Sequence, residues 1–348
     1  MSALLESGTV IGRDAREILA WSRAVVDPGL RRAVAELPAS IRHIAGYHFG
    51  WWDARGKPIR GYPGKALRPA LVLLCAQAVG GDPEAAVPAA VAVELVHNFS
   101  LLHDDVMDRD QTRRHRPTAW AVFGISDAIL AGDALLALAS ECLAECALAS
   151  RAGGVQLLSR CVAELCHGQS LDLSFEQRDG IEMGECWTMV AAKTGALLGC
   201  GCSLGALAGG GDARQAQLFS EFGRHFGRAF QLVDDLLGIW GNPKATGKPV
   251  YSDLISRKKS LPVAAALNSG TAPGQELASL YRRGQPFGPG ELAHAADLVE
   301  RTGAREWARR SVTDEITTAT EFLTAADCRP EAAAALGELA RLLIQRDH

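Results

Sequence analysis

Two pairs of acidic residues stand inside otherwise apolar stretches of this sequence. In LLHDDVMDRDQTRR, Asp104 and Asp108 are four residues apart, so on a helix they share one face, where like charges repel. The second pair, Asp234 and Asp235, lies in FGRAFQLVDDLLGIWG. Uncompensated carboxylates on a buried helix are costly, and divalent cations would compensate them. Hard oxygen ligands without a nearby cysteine cluster predict magnesium, which binds one or two carboxylates together with waters and phosphate oxygens.

Each acidic pair also has a simpler interpretation. A run of acids such as the first is often a solvated helix face. The second pair could instead contain a buried aspartate that caps a helix or pairs with Arg228. Residue types and spacing leave both interpretations open, although two acidic pairs in matching contexts favour metal binding more strongly than one.

Basic residues complete a pattern that suits a diphosphate. They stand in GKALRP, in the RR after the first acidic run, and in AAKTGA, TGKP and SRKKSLP: Lys65, Arg68, Arg113, Arg114, Lys193, Lys248 and Lys258. Any one of them alone would be typical of a protein surface. Together with magnesium, they are what a site needs to hold a diphosphate and stabilise the charge that builds on it as it leaves.

Helices are predicted to carry these residues. Alanine and leucine dominate, and Val91, Leu95, Phe99, Leu102 and Val106 repeat along one helical face. Glycine and proline clusters interrupt the pattern near residues 56–63, 80–83, 153–154, 209–212, 242–249 and 269–274. Because no alternating strand pattern and no linker divides the chain, the sequence predicts one all-α domain over 1–348. Its motif-bearing core covers about 60–265.

Composition and charge exclude several classes of protein. A net charge of −4 argues against nucleic-acid binding. Nine cysteines, with neither a CxxC pair nor zinc spacing, indicate reduced and mostly buried thiols in a cytoplasmic protein. The start of the chain lacks the pattern of a secretory signal. The longest uncharged run, 194–211, is short for a membrane span and rich in glycine, which favours close helix packing instead.

The order and spacing of the motifs resemble the trans-isoprenyl diphosphate synthases, also called polyprenyl synthetases, from about Gly64 to Pro262. The matching pieces are GKALRP, ELVH, DDVMD followed by RR and RPT, GD at 132–133, GQ at 168–169, KT at 193–194, FQLVDD, GKP, and a lysine ahead of LP. The resemblance implies an isoprenoid synthase fold, which is a helical bundle around a deep central pocket. It further implies a homodimer, with two acidic helices facing each other at the mouth of that pocket.

The resemblance also implies an activity: magnesium-dependent condensation of isopentenyl diphosphate with an allylic diphosphate. The magnesium ligands would be Asp104, Asp108 and Asp234. The allylic diphosphate would be bound by Arg113, Lys193, Lys248 and Lys258, and the isopentenyl diphosphate by Lys65, Arg68, His97 and Arg114. Lys193, Thr194 and Gln231 would act at the reacting carbon, where oxygen dipoles favour a cation. Without the resemblance, His97 would be interpreted as a core histidine.

Product length is assigned by the same resemblance. A large aromatic residue at Phe99 followed by a small one would form the floor of the pocket and give geranylgeranyl diphosphate, with farnesyl diphosphate as the next choice. The simpler interpretation is that Phe99 fills the core between helices.

Two departures from the family pattern and two alternative functions remain. Gly238 stands where the second motif usually ends in aspartate, so we expect Gly238→Asp to keep activity and lower the magnesium requirement. His115 stands where glycine usually follows the paired arginines, with an effect that the sequence does not predict.

The alternatives are a class I terpene cyclase of the same fold and a non-catalytic regulatory subunit of another synthase.

Overall fold

The computed structural model describes residues 14–59, 66–243, 249–283 and 285–345. Within this part of the chain nearly every element is helical, which confirms the all-α prediction. In chain order the first elements are α1 (Ala15–Ala35), α2 (Ala39–His48), α3 (Leu67–Ala78), a 3-10 turn (Pro83–Ala86), α4 (Val87–Met107), β1 (Thr112–Arg113), β2 (Arg116–Pro117), α5 (Ala119–Phe123), α6 (Ile125–Glu145), α7 (Ala147–Arg151) and α8 (Gly154–Glu176).

The second half of the chain continues in the same way. Its elements are α9 (Met183–Val190), a π-helical turn (Ala191–Gly195), α10 (Ala196–Ala208), α11 (Ala213–Trp240), α12 (Ser252–Ile255), α13 (Leu261–Leu267), α14 (Ala272–Arg282), α15 (Pro289–Arg301), α16 (Ala304–Ala325) and α17 (Pro330–Gln345). Each predicted glycine and proline cluster coincides with a helix break where it lies in the described residues, and further breaks that were not predicted fall at 108–118, 177–182 and 256–260.

The chain is organised into two compact units. The first comprises residues 1–160, 200–220 and 323–338, and the second comprises 161–199, 221–322 and 339–348. The prediction of one domain over 1–348, with a motif-bearing core at about 60–265, stays a prediction.

The core of the first unit is built by α4 and its neighbours. The predicted apolar face of α4 is buried at Val91, Leu95, Phe99 and Leu102, and α4 packs along α6. Glycines bring α10 against α3: a Cβ at Gly209 would lie 2.5 Å from the carbonyl oxygen of Ala76, where only glycine fits. This is the close packing that the glycine-rich run predicts.

The core of the second unit lies around α12 to α15. Leu254, Val263, Leu277 and Leu298 are fully buried there, together with Ile239 at the end of α11. Lys259 donates from Nζ to the carbonyl oxygens of Phe175 and Arg178, which attaches the α12–α13 connection to the end of α8.

Two helical stretches, Pro83–Met107 and Met183–Ala208, are long and apolar enough to cross a membrane. Most of each stretch is buried inside the protein, 67% and 83% respectively, as expected for core helices. All nine cysteines are free, and all but Cys166 and Cys328 are buried, as predicted.

Candidate functional site

The first acidic motif occupies the end of α4. The backbone N–H of Asp108, the C-cap residue, donates to the carbonyl oxygen of Asp104 at 2.8 Å, so the two residues are one helical turn apart as the spacing predicts. Asp104 is half-buried and Asp108 is exposed. The buried acid of the motif is Asp105, which is 1% exposed.

Arg113 neutralises this buried acid. Its Nη2 and Nε lie 2.6 and 2.8 Å from Oδ1 of Asp105. Burial raises the pKa of Asp105, and the Arg113 guanidinium acts in the opposite direction. A buried carboxylate requires a compensating positive charge, and at Asp105 the Arg113 guanidinium supplies it. Burial of Asp105 does not by itself assign a metal to Asp104 and Asp108.

Arg113 and Arg114 are held by a short hairpin. Thr112–Arg113 pairs with Arg116–Pro117 through a two-residue turn in which Arg114 and His115 have φ of 50° and 63°. Such turns favour glycine, because other residues pay about 1 kcal/mol for positive φ. This explains why glycine is usual at position 115, and His115 is exposed in the turn.

Arg116 attaches the hairpin to the end of α2. Its guanidinium donates to the carbonyl oxygens of Tyr47 and Trp52, each at 3.1 Å, and lies 4.3 Å from the centre of the Tyr47 ring. In the reverse direction, the Tyr47 hydroxyl donates to the carbonyl oxygen of Pro117 at 2.8 Å. Sequence reasoning missed this anchoring, because nothing in the spacing links residues so far apart.

Three of the four residues predicted to bind isopentenyl diphosphate lie in the described part of the first unit. Arg68 Nη1 is 3.2 Å from His97 Nε2. Burial lowers the pKa of His97 well below its usual value, and the charges of Arg68 and Arg114 lower it further, so the ring is neutral. Burial also lowers the pKa of Arg114. Lys65 lies outside the described residues.

Phe99 and His103 fix the packing of α4 against α6. Phe99 is 6% exposed, and its ring centre lies 4.8 Å from that of His103. His103 Nε2 lies 3.0 Å from the carbonyl oxygen of Ile129, in space that a side chain at Gly132 would occupy. The glycine of the GD motif is therefore needed for helix packing. The simpler interpretation of Phe99 as core filler fits its burial, and its role in product length is untested.

In the second unit an unpredicted acid organises two predicted lysines. Asp172 Oδ2 lies 2.6 Å from Lys193 Nζ and 3.9 Å from Lys258 Nζ. Burial raises the pKa of Asp172, but the two ammonium groups outweigh it and hold the pKa below its usual value. Asp172 follows the GQ motif by three residues, and that spacing was the signal available. Lys248 lies outside the described residues.

Thr194 and Gln231 form one hydrogen-bonded chain with Asp235. The Thr194 hydroxyl donates to Gln231 Oε1 at 2.7 Å, and Gln231 Nε2 donates to Asp235 Oδ1 at 2.7 Å. Thr194 lies in the π-helical turn, a local widening that is frequent at functional sites. Because Thr194 donates and Asp235 accepts, these two hydrogen bonds fix the orientation of the Gln231 amide.

The second acidic pair divides between two roles. Asp235 is 2% exposed, and its Oδ2 accepts from the backbone N–H of Leu261 at 2.9 Å, so it caps α13. Burial raises the pKa of Asp235 to about 7. The helix-capping interpretation is thus confirmed for Asp235, whereas Arg228 lies 3.9 Å from Glu315 instead. Asp234 is exposed, so the two adjacent carboxylates differ in their access to water.

The expectation for Gly238 stays a prediction, and the structure sets a steric obstacle against it. A Cβ at this buried position would lie 2.5 Å from Oδ2 of Asp253 and nearer still to its Cγ and Oδ1. Asp253 is itself buried at 9% exposure. The space of the missing aspartate is therefore already filled by a carboxylate from α12.

The acidic residues fit magnesium that is shared with a substrate. Within the described part of the chain, no three His, Cys, Asp or Glu side chains converge into a group able to hold a metal alone. Magnesium is commonly bound by one or two carboxylates plus waters and phosphate oxygens, and Asp104 with Asp108, or Asp234, supplies that number.

Comparison with known proteins identifies the group to which this chain is similar. The family model for Polyprenyl synthetase matches residues 55–298. The chain is 43% identical over 332 residues to a (2E,6E)-farnesyl diphosphate synthase of Mycobacterium tuberculosis, covering 94% of this chain and 92% of the relative. It is 42% identical over 344 residues to a geranylgeranyl diphosphate synthase of the same species, covering 98% and 96%. A solved polyprenyl synthetase from Streptomyces coelicolor A3(2) superposes with a TM-score of 0.91 at 46% identity, covering 95% of this chain and 99% of that one.

Proposed function

Because this chain belongs to the polyprenyl synthetase family, we propose that it condenses isopentenyl diphosphate with a short allylic diphosphate and releases diphosphate. The observation that carries the proposal is the cluster of Arg68, the neutral His97 and Arg114 in the first unit, in which two arginines supply the positive charge that a second diphosphate requires. A terpene cyclase has no use for a second diphosphate. The relatives with 42% and 43% identity are named as synthases of this kind.

In this proposal the cations bind and orient the two diphosphates. Arg113, Lys193, Lys248 and Lys258 bind the allylic diphosphate, and Lys65, Arg68, His97 and Arg114 bind the isopentenyl diphosphate. Bidentate arginine contacts suit phosphate oxygens. Holding both molecules in register removes much of the entropic barrier to a bimolecular step.

The chemistry is the breaking of one bond and the making of another. The allylic C–O bond breaks and its electron pair leaves with the diphosphate. The isopentenyl double bond then attacks the allylic carbon, and the new C–C bond leaves a cation that loses a proton to the released diphosphate. Lys193 stabilises the leaving oxygens, while the oxygens of Thr194 and Gln231 face the developing positive carbon.

Magnesium held by Asp104, Asp108 and Asp234 would supply positive charge that offsets the charge of the diphosphate. Asp104 and Asp108 carry the ligand oxygens at the end of α4, and Asp234 carries one on α11. The buried partners Asp105 and Asp235 are not ligands in this scheme, because Arg113 and the N-terminus of α13 already engage them.

We propose geranylgeranyl diphosphate as the product, with farnesyl diphosphate as the next choice. Phe99 is buried on α4 five residues before Asp104, deeper along the helix than the metal ligands. The relatives do not decide between the two products, because a farnesyl and a geranylgeranyl synthase match this chain at nearly equal identity.

A second copy of this chain is the proposed partner. Val122, Ile125, Ile129 and Leu130 are exposed on α5 and α6, from 37% to 54%. Such a concentration of large apolar side chains on one surface marks an interaction site. Because the thiols are free and mostly buried, the proposed location is the cytoplasm.

The test is incubation of the purified protein with labelled isopentenyl diphosphate, magnesium and one allylic diphosphate of five, ten or fifteen carbons. Elongation supports the proposal, and chromatography of the dephosphorylated products gives the chain length. A hydrocarbon formed from the allylic substrate alone would identify a cyclase. Inactivity that a second synthase relieves would identify a regulatory subunit.

A further inference from the structure

His48 ends α2, in a segment that carries no motif readable from the sequence. Its Nε2 atom is buried without a hydrogen bond of ordinary geometry among the described residues, and the Asn98 side chain, whose Oδ1 is likewise buried without such a bond, lies near enough to the ring to raise its pKa. Burial, reinforced by the charges of Arg113, Arg114 and Arg116, lowers the pKa of His48 to about 3. The ring is therefore neutral, with one nitrogen that donates and one that accepts.

One carboxylate oxygen of Asp105 also lacks a hydrogen-bond partner within the described chain. Its Oδ1 binds Arg113, but its Oδ2 is buried and has no hydrogen-bond partner in the described part of the chain. Buried polar atoms in folded proteins are nearly always hydrogen-bonded to protein or to ordered water. Two such atoms in one region point to a molecule that satisfies both.

A small cavity joins the two residues. His48 and Asp105 both line a cavity of about 20 Å³, together with Arg113, Arg114 and Tyr47. A cavity needs about 10 to 15 Å³ to hold a water molecule, and the water needs two to four polar partners. The volume suits one water, and it is far too small for a substrate.

We propose that His48 is a positioning residue, joined through one water molecule in this cavity to Oδ2 of Asp105. The water holds the Asp105 carboxylate in the orientation in which its Oδ1 binds Arg113. His48 thus acts on the substrate through Asp105 and Arg113 without touching it. This inference rests on the proposed function, in which Arg113 binds the allylic diphosphate.

The kinetic test compares two substitutions at this position. His48→Leu removes the polar atom, and we expect the KM for the allylic diphosphate to rise about tenfold, equivalent to 1.4 kcal/mol, with the KM for isopentenyl diphosphate within twofold. His48→Gln offers an amide to the same water, so its allylic KM should return to within about threefold of the native value. The matched control is His43→Leu on the same helix, since His43 contacts the carbonyl oxygen of Ala54 outside the cavity.

Two measurements need no turnover and so separate this inference from the proposed function. A double-mutant cycle of unfolding with His48→Leu and Asp105→Asn should show coupling of at least fivefold in the unfolding equilibrium. A crystal structure of the native protein should show one ordered water within hydrogen-bond distance of both atoms. An empty cavity, additive substitutions, or a Gln variant no better than Leu would overturn the inference. An inactive native protein would overturn only the proposed function.

Discussion

The substitution Gly238→Asp would add the carboxylate that the family pattern usually places at the end of the second motif, and we expect it to destabilise the protein. Its Cβ would lie 2.5 Å from Oδ2 of Asp253, about 1 Å closer than an ordinary contact. Forcing atoms into a packed site costs about 1 to 3 kcal/mol. The new carboxylate would also stand close to Asp253 and near the buried Asp235, and an uncompensated buried charge costs a further 3 kcal/mol or so.

The total, about 4 to 6 kcal/mol, is a large part of the roughly 5 to 15 kcal/mol that holds most proteins folded. Thermal unfolding followed by circular dichroism measures it, and we expect the melting temperature of Gly238→Asp to fall by about 5 to 8 °C. Gly238→Ala carries the steric part alone and should lose about 1 to 3 kcal/mol.

The matched control is Gly337→Ala in the middle of α17, where a new Cβ would meet no atom within 4 Å. Alanine is the better helix former, so this variant should gain about 0.5 to 1 kcal/mol. If Gly238→Asp instead melts within 2 °C of the native protein and needs less magnesium, Asp253 moves aside and our packing argument fails.

Three further outcomes are expected. Asp104→Ala and Asp108→Ala should each reduce turnover by orders of magnitude with unchanged circular dichroism. Asp110→Ala is the control, because Asp110 is an exposed acid just beyond the helix, and its turnover should stay near the native value. Near-native rates in the first two variants would refute the metal assignment. Phe99→Ala should shift the dephosphorylated products to chains at least five carbons longer, and an unchanged product pattern at preserved activity would show that Phe99 is not the floor. Acid should weaken the fold through His48, because the unfolded ring gains a proton near pH 6.5 and the folded ring only near pH 3. The neutral ring makes its full contribution to the free energy of unfolding above pH 6.5, and about 2 kcal/mol of that contribution is lost by pH 5. Urea unfolding should therefore show that His48→Gln loses less stability between pH 7.5 and pH 5 than the native protein does.

Helical periodicity predicted the fold well because it is a local property. The face from Val91 to Leu102 is buried as expected, and the glycine-rich run packs closely as expected. The hairpin at 112–117 was missed, since its strands are two residues long and too short for any alternation to be visible. Its conformation depends on anchoring by Arg116 to the distant carbonyls of Tyr47 and Trp52.

The sequence predicted the types of residue in the candidate site, but only some of the contacts between them. Arg68 with His97, and Thr194 with Gln231, are adjacent as the resemblance implies. Asp172 and His48 were missed, because a single histidine on a helix has no distinctive spacing and the only signal for Asp172 was its distance of three residues from the GQ motif. Contacts between distant residues identify them, namely the two lysines around Asp172 and the shared cavity at His48.

The two acidic motifs share one design that neither spacing nor burial alone reveals. In each pair of adjacent aspartates, the second is buried and engaged by the protein: Asp105 binds Arg113, and Asp235 caps α13 and orients Gln231. The first, Asp104 or Asp234, is left more open to water. Since a buried aspartate fixes its helix turn through short hydrogen bonds, it also fixes the position from which the adjacent carboxylate projects. Under the proposed function, an acidic pair therefore supplies one carboxylate for structure and one for a magnesium ligand, and a single aspartate at either position would not do both.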